Sequence, residues 1–301
     1  MDKKIRIAEI LAFLDKIEEK YSFTGNKSDV IQAYSSFYEY KPGTITWLRS
    51  NEIYDTVKDR MVEPIKMMIA PQEFSGDNAC LNCIRTEDPH RAFFYILKQF
   101  FSEEEQVKTG RNNSISASAR IANHVSIGCN CVIGERVEIG EGCRIYNNVV
   151  IQNDVKIGKN CLIQSGAVIG EEGFGFLTAR NELRERVKHF GTVIIGDDVE
   201  IGANTCITRG VMENTVISDG SKIDNLCHIA HNVKIGRNAF IVASTMVGGS
   251  VTIGDNCWLA TSTIRNGISI GDRALVGFGA VVVNDVDAGT VVYGNPAKRM
   301  R

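Results

Sequence analysis

Isoleucine recurs at every sixth residue from Ile115 to Ile169, at Ile115, Ile121, Ile127, Ile133, Ile139, Ile145, Ile151, Ile157, Ile163 and Ile169. Four residues after each of the first nine stands a small side chain: Ala119, Val125, Cys131, Val137, Cys143, Val149, Val155, Cys161 and Ala167. A helix repeats every 3.6 residues and a strand every two, so neither gives this period. A triangular coil of short parallel strands does, because each flat side and its corner use one hexad. The large residue fills the prism and the small one lets the corner tighten. Three hexads make a turn, so residues 18 apart should stack as neighbouring strands do, about 4.8 Å apart. The pattern breaks over Glu171–His189, returns at Ile195, Ile201 and Ile207, and takes a four-residue insertion around Gly210–Thr215. It resumes at Ile217, runs to Leu259, drops one residue, and ends with Ile264, Ile270, Val276 and Val282. Insertions into a repeat map to loops on one face, often the binding face.

Upstream of the coil the apolar spacing changes. Ile5, Ile7, Ile10, Leu11, Leu14 and Ile17 share one broad face, which predicts an amphipathic helix over Ile5–Glu19. Short strands are expected around Thr44–Leu48 and Ile65–Ile69. A second helix is expected over Arg91–Phe101, with Asp88 and Pro89 as its entry signal. The expected fold class is therefore mainly β: residues 1–108 form a small α/β domain, and residues 109–301 a parallel β-helix with a loop insertion at 171–190.

Charge and composition narrow the partners. A net charge of −2 argues against nucleic acid and against an anionic membrane surface. Met1–Lys20 has no unbroken apolar run, so neither a signal peptide nor membrane insertion is expected and the cytoplasm is the default. Cys131, Cys143, Cys161, Cys227 and Cys257 all fall on the small inward position, where they act as small apolar residues rather than a disulfide framework. Cys80 and Cys83 form a lone C-x-x-C; with no second ligand pair nearby, packing is the expected role. Gly173-Phe174-Gly175 and Gly277-Phe278-Gly279 do not stand between a strand and a helix, so a dinucleotide fold has little support.

Chemistry centres on the histidines. In Ile229-Ala230-His231-Asn232 the isoleucine points inward, so His231 lies at a corner and faces outward. Eighteen residues on is Gly249, which leaves room beside His231 and an accessible N–H. A base next to an open N–H suits acyl transfer, which needs proton removal and oxyanion stabilisation. A solvated corner histidine is the alternative that spacing alone leaves open.

Ile223-Asp224-Asn225-Leu226-Cys227-His228-Ile229-Ala230-His231-Asn232-Val233-Lys234-Ile235-Gly236 resembles the active-site stretch of UDP-3-O-acylglucosamine N-acyltransferases, enzymes of lipid A synthesis. Gly170-Glu171-Glu172-Gly173-Phe174-Gly175-Phe176 is similar to that family's Gly/Phe loop, with Glu172 where Asp is usual. Asp88–Phe93 resembles the end of its N-terminal domain, and Ile45–Tyr54 its uracil-binding segment lengthened by one residue. The resemblance implies a left-handed coil and a homotrimer. It implies His231 as general base, the Gly249 N–H as oxyanion donor, Trp47 and Tyr54 sandwiching the base, and Asn51 nearby. Phe174, Phe176, Asn225 and His228 count with the substrate-binding residues; His228 stands where the family commonly has Gln.

Two departures shape the expectation. Counting from His231, the family's second active-site histidine falls on Ile268. The ending Gly294-Asn295-Pro296-Ala297-Lys298-Arg299-Met300-Arg301 looks like that of hexapeptide acetyltransferases that use coenzyme A, and Lys298 and Arg299 could meet its phosphates. The reading favoured on this basis is a metal-free acetyl-CoA-dependent N-acetyltransferase acting on a UDP- or dTDP-linked amino sugar of O-antigen or capsule. The alternative is the lipid A N-acyltransferase reaction with an acyl carrier protein thioester. More distant are a γ-carbonic-anhydrase-like zinc enzyme using His189, His228 and His231, and a non-catalytic trimeric scaffold.

Overall fold

The computed structural model describes residues 4–58, 63–76, 79–102, 107–178 and 183–300. It divides into two compact units, Met1–Glu105 and Gln106–Arg301.

The first unit is a five-stranded sheet covered by helices. Tyr21–Thr24 runs antiparallel to Cys83–Thr86, and Met67–Pro71, Thr44–Trp47 and Ala33–Tyr34 follow in parallel. Helix α1 (Ile7–Lys16) buries Ile7, Ile10, Leu11 and Leu14. Helix α2 (Asn51–Val57) follows the strand that ends at Trp47. Helix α3 (Pro89–Phe100) starts where the Asp88 carboxylate accepts from the Arg91 N–H at 2.9 Å, and buries Ala92, Phe93 and Ile96. Asp88 thus satisfies one of the donors that a helix start leaves orphaned, and Pro89, which lacks an N–H, fits the first turn. Ile45, Ile69 and Ile84 pack with α1 and α3, whereas Met68 and Ala70 pack with Phe37, Leu48 and Phe74. The strand Met67–Pro71 is therefore buried on both faces.

The second unit is the left-handed hexad coil. Its strands are mostly two residues long and stack into sheets of ten, nine and eight strands, parallel except for the last strand of the ten. Residues 18 apart pair directly, as in Ile133↔Ile151 and Ile241↔Leu259. From Ile127 onward the inward isoleucines, and the five inward cysteines, are almost wholly buried. Each fully buried aliphatic side chain contributes roughly 1.5–3 kcal/mol over leaving it exposed. Corners are tied by side chains as well. Asn147, Asn153, Asp197 and Asp255 each accept, from a carboxamide or carboxylate oxygen, the N–H of a residue one turn earlier.

The period breaks become structure. The segment from Glu171 contains an antiparallel pair, Phe176–Thr178 against Arg184–Arg186. Across the four-residue insertion the stacking offset becomes 22, as in Ile207↔Ile229. At the far end, residues 281–300 cover all three sheets. Val286 bridges to Ile270, Val292 pairs with Val276, and the Ala297 N–H donates to the Val281 carbonyl at 2.8 Å. Lys298–Arg299 then runs antiparallel to Val291–Tyr293, with both basic side chains exposed.

Candidate active site

His231 stands in the corner after the strand His228–Ile229, and the left-handed turn is made by Asn232 at φ 62°. The Asn232 carboxamide is held from both ends. Its Oδ1 accepts from the Val211 N–H at 3.0 Å, and its Nδ2 donates to the Glu213 carbonyl at 3.3 Å. His231 Nδ1 lies 3.0 Å from that same Oδ1. An oxygen can only accept, so Nδ1 carries a proton and, in the neutral ring, the lone pair stands at Nε2. The tautomer is the one that a general base requires.

Two glycines flank the imidazole. A methyl on Gly249 would lie 2.6 Å from both Cε1 and Nε2 of His231. Gly249 does not occupy the left-handed region, so the ring rather than the backbone demands glycine there. Its N–H makes no hydrogen bond among the described residues, although Gly248 and Ser250 donate to Ile264 and His231. A free backbone donor beside the base is what a developing oxyanion needs. On another side, a methyl on Gly173 would lie 3.3 Å from His231 Cδ2 and 3.0 Å from His189 Nε2.

His189 is 2% exposed, and its ring meets that of His231 edge to face with centroids 5.8 Å apart. Its Nδ1 donates to the Val187 carbonyl at 2.9 Å. Nε2 is buried without a partner among the described residues. A buried unsatisfied acceptor costs about 1–3 kcal/mol. In front of His231 opens a cleft of about 530 Å³ lined by Val211, Met212, Glu213, Lys234 and Thr252.

The remaining candidate residues have these surroundings. His228 points outward on the strand leading to His231, and desolvation lowers its pKa below the usual histidine value. It stacks between Cys206 and Met246. The same outward register carries Val132, Val150 and Val168, so this face bears an apolar stripe that sequence reading alone did not bring out. The Asn225 Oδ1 accepts the Ala203 N–H at 2.6 Å, so its side chain ties a corner as Asn147 does. Phe174 is 89% exposed; its ring lies 4.9 Å from that of Phe176, over which Arg186 sits at 5.2 Å. Ile268 is buried in the coil.

In the first unit Trp47 meets His90 edge-on at 4.9 Å, whereas Tyr54 meets Phe74 at 5.2 Å. Trp47 also lines a cleft of about 330 Å³ with Phe37, Tyr38 and Arg49. Tyr38 and His90 were not singled out by sequence. Asn51 opens α2 and lines neither cleft that Trp47 lines. The hydrogen bond to Cys83, together with burial, pushes the Cys80 thiol upward, away from a reactive thiolate. Among the described residues no group of three or more His, Cys, Asp and Glu side chains is arranged to hold a metal ion. Among the same residues no helix is long and apolar enough to cross a membrane.

Sequence gave no direct signal for Asn232 at this site, and grouped His189 with His231 only as a candidate zinc ligand. Each stands beside a break in the period or ties to one: His189 ends the loop, and Asn232 is held by Val211 and Glu213 of the four-residue insertion.

Fold and repeats together define the class: this is a left-handed β-helix of hexapeptide repeats. The bacterial transferase hexapeptide family (six repeats) matches residues 136–171 and 214–249, and the hexapeptide repeat of succinyl-transferase matches 192–225 and 250–283. Within that class the chain is similar to UDP-3-O-acylglucosamine N-acyltransferases. It is 40% identical to UDP-3-O-acylglucosamine N-acyltransferase 2 of Rhodopseudomonas palustris over 134 residues, covering 44% of this chain and 36% of that protein. It is 36% identical to the Campylobacter lari UDP-3-O-acylglucosamine N-acyltransferase over 129 residues, covering 42% and 40%. These matches span well under half the length of either relative. Among solved structures, LpxA from Acinetobacter baumannii aligns with TM-score 0.57 at 27% identity over 63% of this chain and 72% of that one. The Francisella novicida UDP-N-acetylglucosamine acyltransferase aligns with TM-score 0.53 at 25% identity over 63% and 68%. The names of these relatives specify acyl transfer and UDP sugars. They lend no support to the expected acetyl-CoA donor, dTDP sugar or O-antigen role.

Proposed function

We propose that this protein is an N-acyltransferase that moves an acyl group longer than acetyl from an acyl carrier protein thioester to the amine of a UDP-linked amino sugar. The observation that carries this reading is the setting of His231, whose proton-bearing Nδ1 is fixed by Asn232 while Nε2 stays free beside the unbonded Gly249 N–H. In the reaction the sugar amine attacks the thioester carbonyl carbon as His231 Nε2 takes the amine proton. The carbonyl oxygen gains negative charge and is held by the Gly249 N–H. Collapse breaks the carbon–sulfur bond, His231 returns its proton to the departing thiolate, and an amide and a free thiol result. Positioning of both substrates supplies much of the rate gain, and the base typically adds about 10²–10⁴-fold.

The choice of a long acyl group is supported by the apolar stripe that reaches His228 and Met246, since an acetyl group needs no such surface. The choice of UDP is supported by the relatives' names and by the aromatic cleft at Trp47, where a pyrimidine face could stack. The first test is amide formation from hydroxyacyl carrier protein and a UDP-3-acylated amino sugar, with acetyl-CoA in parallel. Turnover with the carrier-protein donor, lost in His231→Ala without loss of sugar-nucleotide affinity, is the expected result. Turnover with acetyl-CoA alone would overturn the donor assignment, and an active His231→Ala protein would overturn the base.

A further inference from the structure

We propose that His189 is a second histidine of the reaction site, and that its Nε2 accepts a hydrogen bond from an N–H or O–H of the bound acceptor sugar. The inference rests on the acyl-transfer reading above and assigns a residue that reading does not use. Nδ1 of His189 donates to the Val187 carbonyl at 2.9 Å, so in the neutral ring the lone pair is presented at Nε2. That lone pair is buried and without a partner among the described residues. Gly173 flanks both rings: a single methyl there would touch His189 Nε2 at 3.0 Å and His231 Cδ2 at 3.3 Å.

The chemistry of the two substrates selects the occupant. A thioester offers only acceptors at its reacting end, whereas an amino sugar is dense in N–H and O–H donors. An acceptor placed beside the base therefore fits the sugar. Gly173 belongs to the inserted segment, whose neighbour Phe174 projects into solvent at 89% exposure. Arg186 reaches the Gly173 carbonyl at 3.3 Å, so the two legs of the segment are linked at this point.

The test compares wild type with His189→Phe, which keeps an aromatic ring and removes the acceptor, and His189→Gln, which restores an acceptor oxygen. His189→Phe should raise the KM for the acceptor sugar about tenfold, the scale of one lost hydrogen bond, with donor KM and kcat changed less than about threefold. Its melting temperature should change little, because relief of the orphaned Nε2 offsets loss of the Nδ1–H bond to the Val187 carbonyl. His189→Gln should recover most of the acceptor affinity. An unchanged acceptor KM in His189→Phe, or a fall in stability with equal losses for both substrates, would overturn the proposal. Calorimetric titration of each protein with the UDP-3-acylated amino sugar separates the two readings. If wild type binds the sugar but transfers no acyl group, the function reading fails while the His189→Phe titration still decides this one. If wild type binds no UDP-amino sugar, both fall.

Discussion

Replacing Gly249 by alanine isolates the geometry of the base from the stability of the coil. The added methyl would sit 2.6 Å from His231 Cε1 and Nε2, closer than real carbon contacts come. The imidazole must retreat by about 1 Å to reach ordinary contact, and misplacement on that scale costs a catalyst about 10²-fold in rate. The retreat also either breaks the 3.0 Å link to Asn232 or pulls Asn232 from Val211 and Glu213. Folding should hardly notice, because the backbone of Gly249 is not in the left-handed region. Gly279→Ala is the mirror control. Gly279 has φ 73° and open space around its missing Cβ, so alanine there should cost about 1–2 kcal/mol of stability and leave the site intact. Steady-state kinetics with the acyl carrier protein donor, paired with thermal melts of both variants, reads the contrast. A Gly249→Ala protein with wild-type kcat would refute the argument that the ring and the glycine are fitted to each other.

Three further outcomes follow from particular contacts. Asn232→Gly keeps the left-handed turn but removes the acceptor of His231 Nδ1–H; kcat should fall about tenfold with acceptor KM little changed, as initial-rate kinetics will show. Asp88→Ala removes the cap of α3 and should cost about 1 kcal/mol, seen as a lower urea midpoint for the first unfolding step. His228 has its pKa lowered by burial, so the unfolded chain binds that proton more readily than the folded one. Its contribution to stability is complete above the ordinary histidine pKa of about 6.5 and is lost as pH falls through the lowered value. His228→Gln should therefore flatten the fall in urea midpoint between about pH 7 and 5, and an unchanged slope would exclude the effect.

The coil was legible because one inward isoleucine per hexad is a requirement of the prism itself. Helices α1 and α3 were legible from their apolar faces, and Asp88 from its capping chemistry. Helix α2 and the strand Cys83–Thr86 were not, since each is only a few residues long and mixes polar with apolar side chains. At the site, His231 and Gly249 could be related by counting 18. His189 and Asn232 could not, because the loop and the insertion that engage them lie outside the repeat. The apolar stripe was hidden for the same reason. Val168 pairs with Cys206 and Cys206 with His228 at offsets of 38 and 22, so the stripe cannot be followed by a fixed count. The acetyl-CoA expectation leaned on a short basic segment, Lys298–Arg299, whose backbone is used to close the coil.

That closing segment has a consequence for assembly. A stack of parallel strands ends in rows of unpaired N–H and C=O groups, which invite another molecule to dock and continue the stack. Here residues 281–300 reach all three sheets, and the final pairing runs against the direction of every rung before it. In the sheet that holds Val291–Tyr293 the last described strand therefore presents an antiparallel edge. Removing residues 281–300 would bare the edges that Ile270 and Val276 now share with Val286 and Val292, and should show first as polymerisation rather than as unfolding.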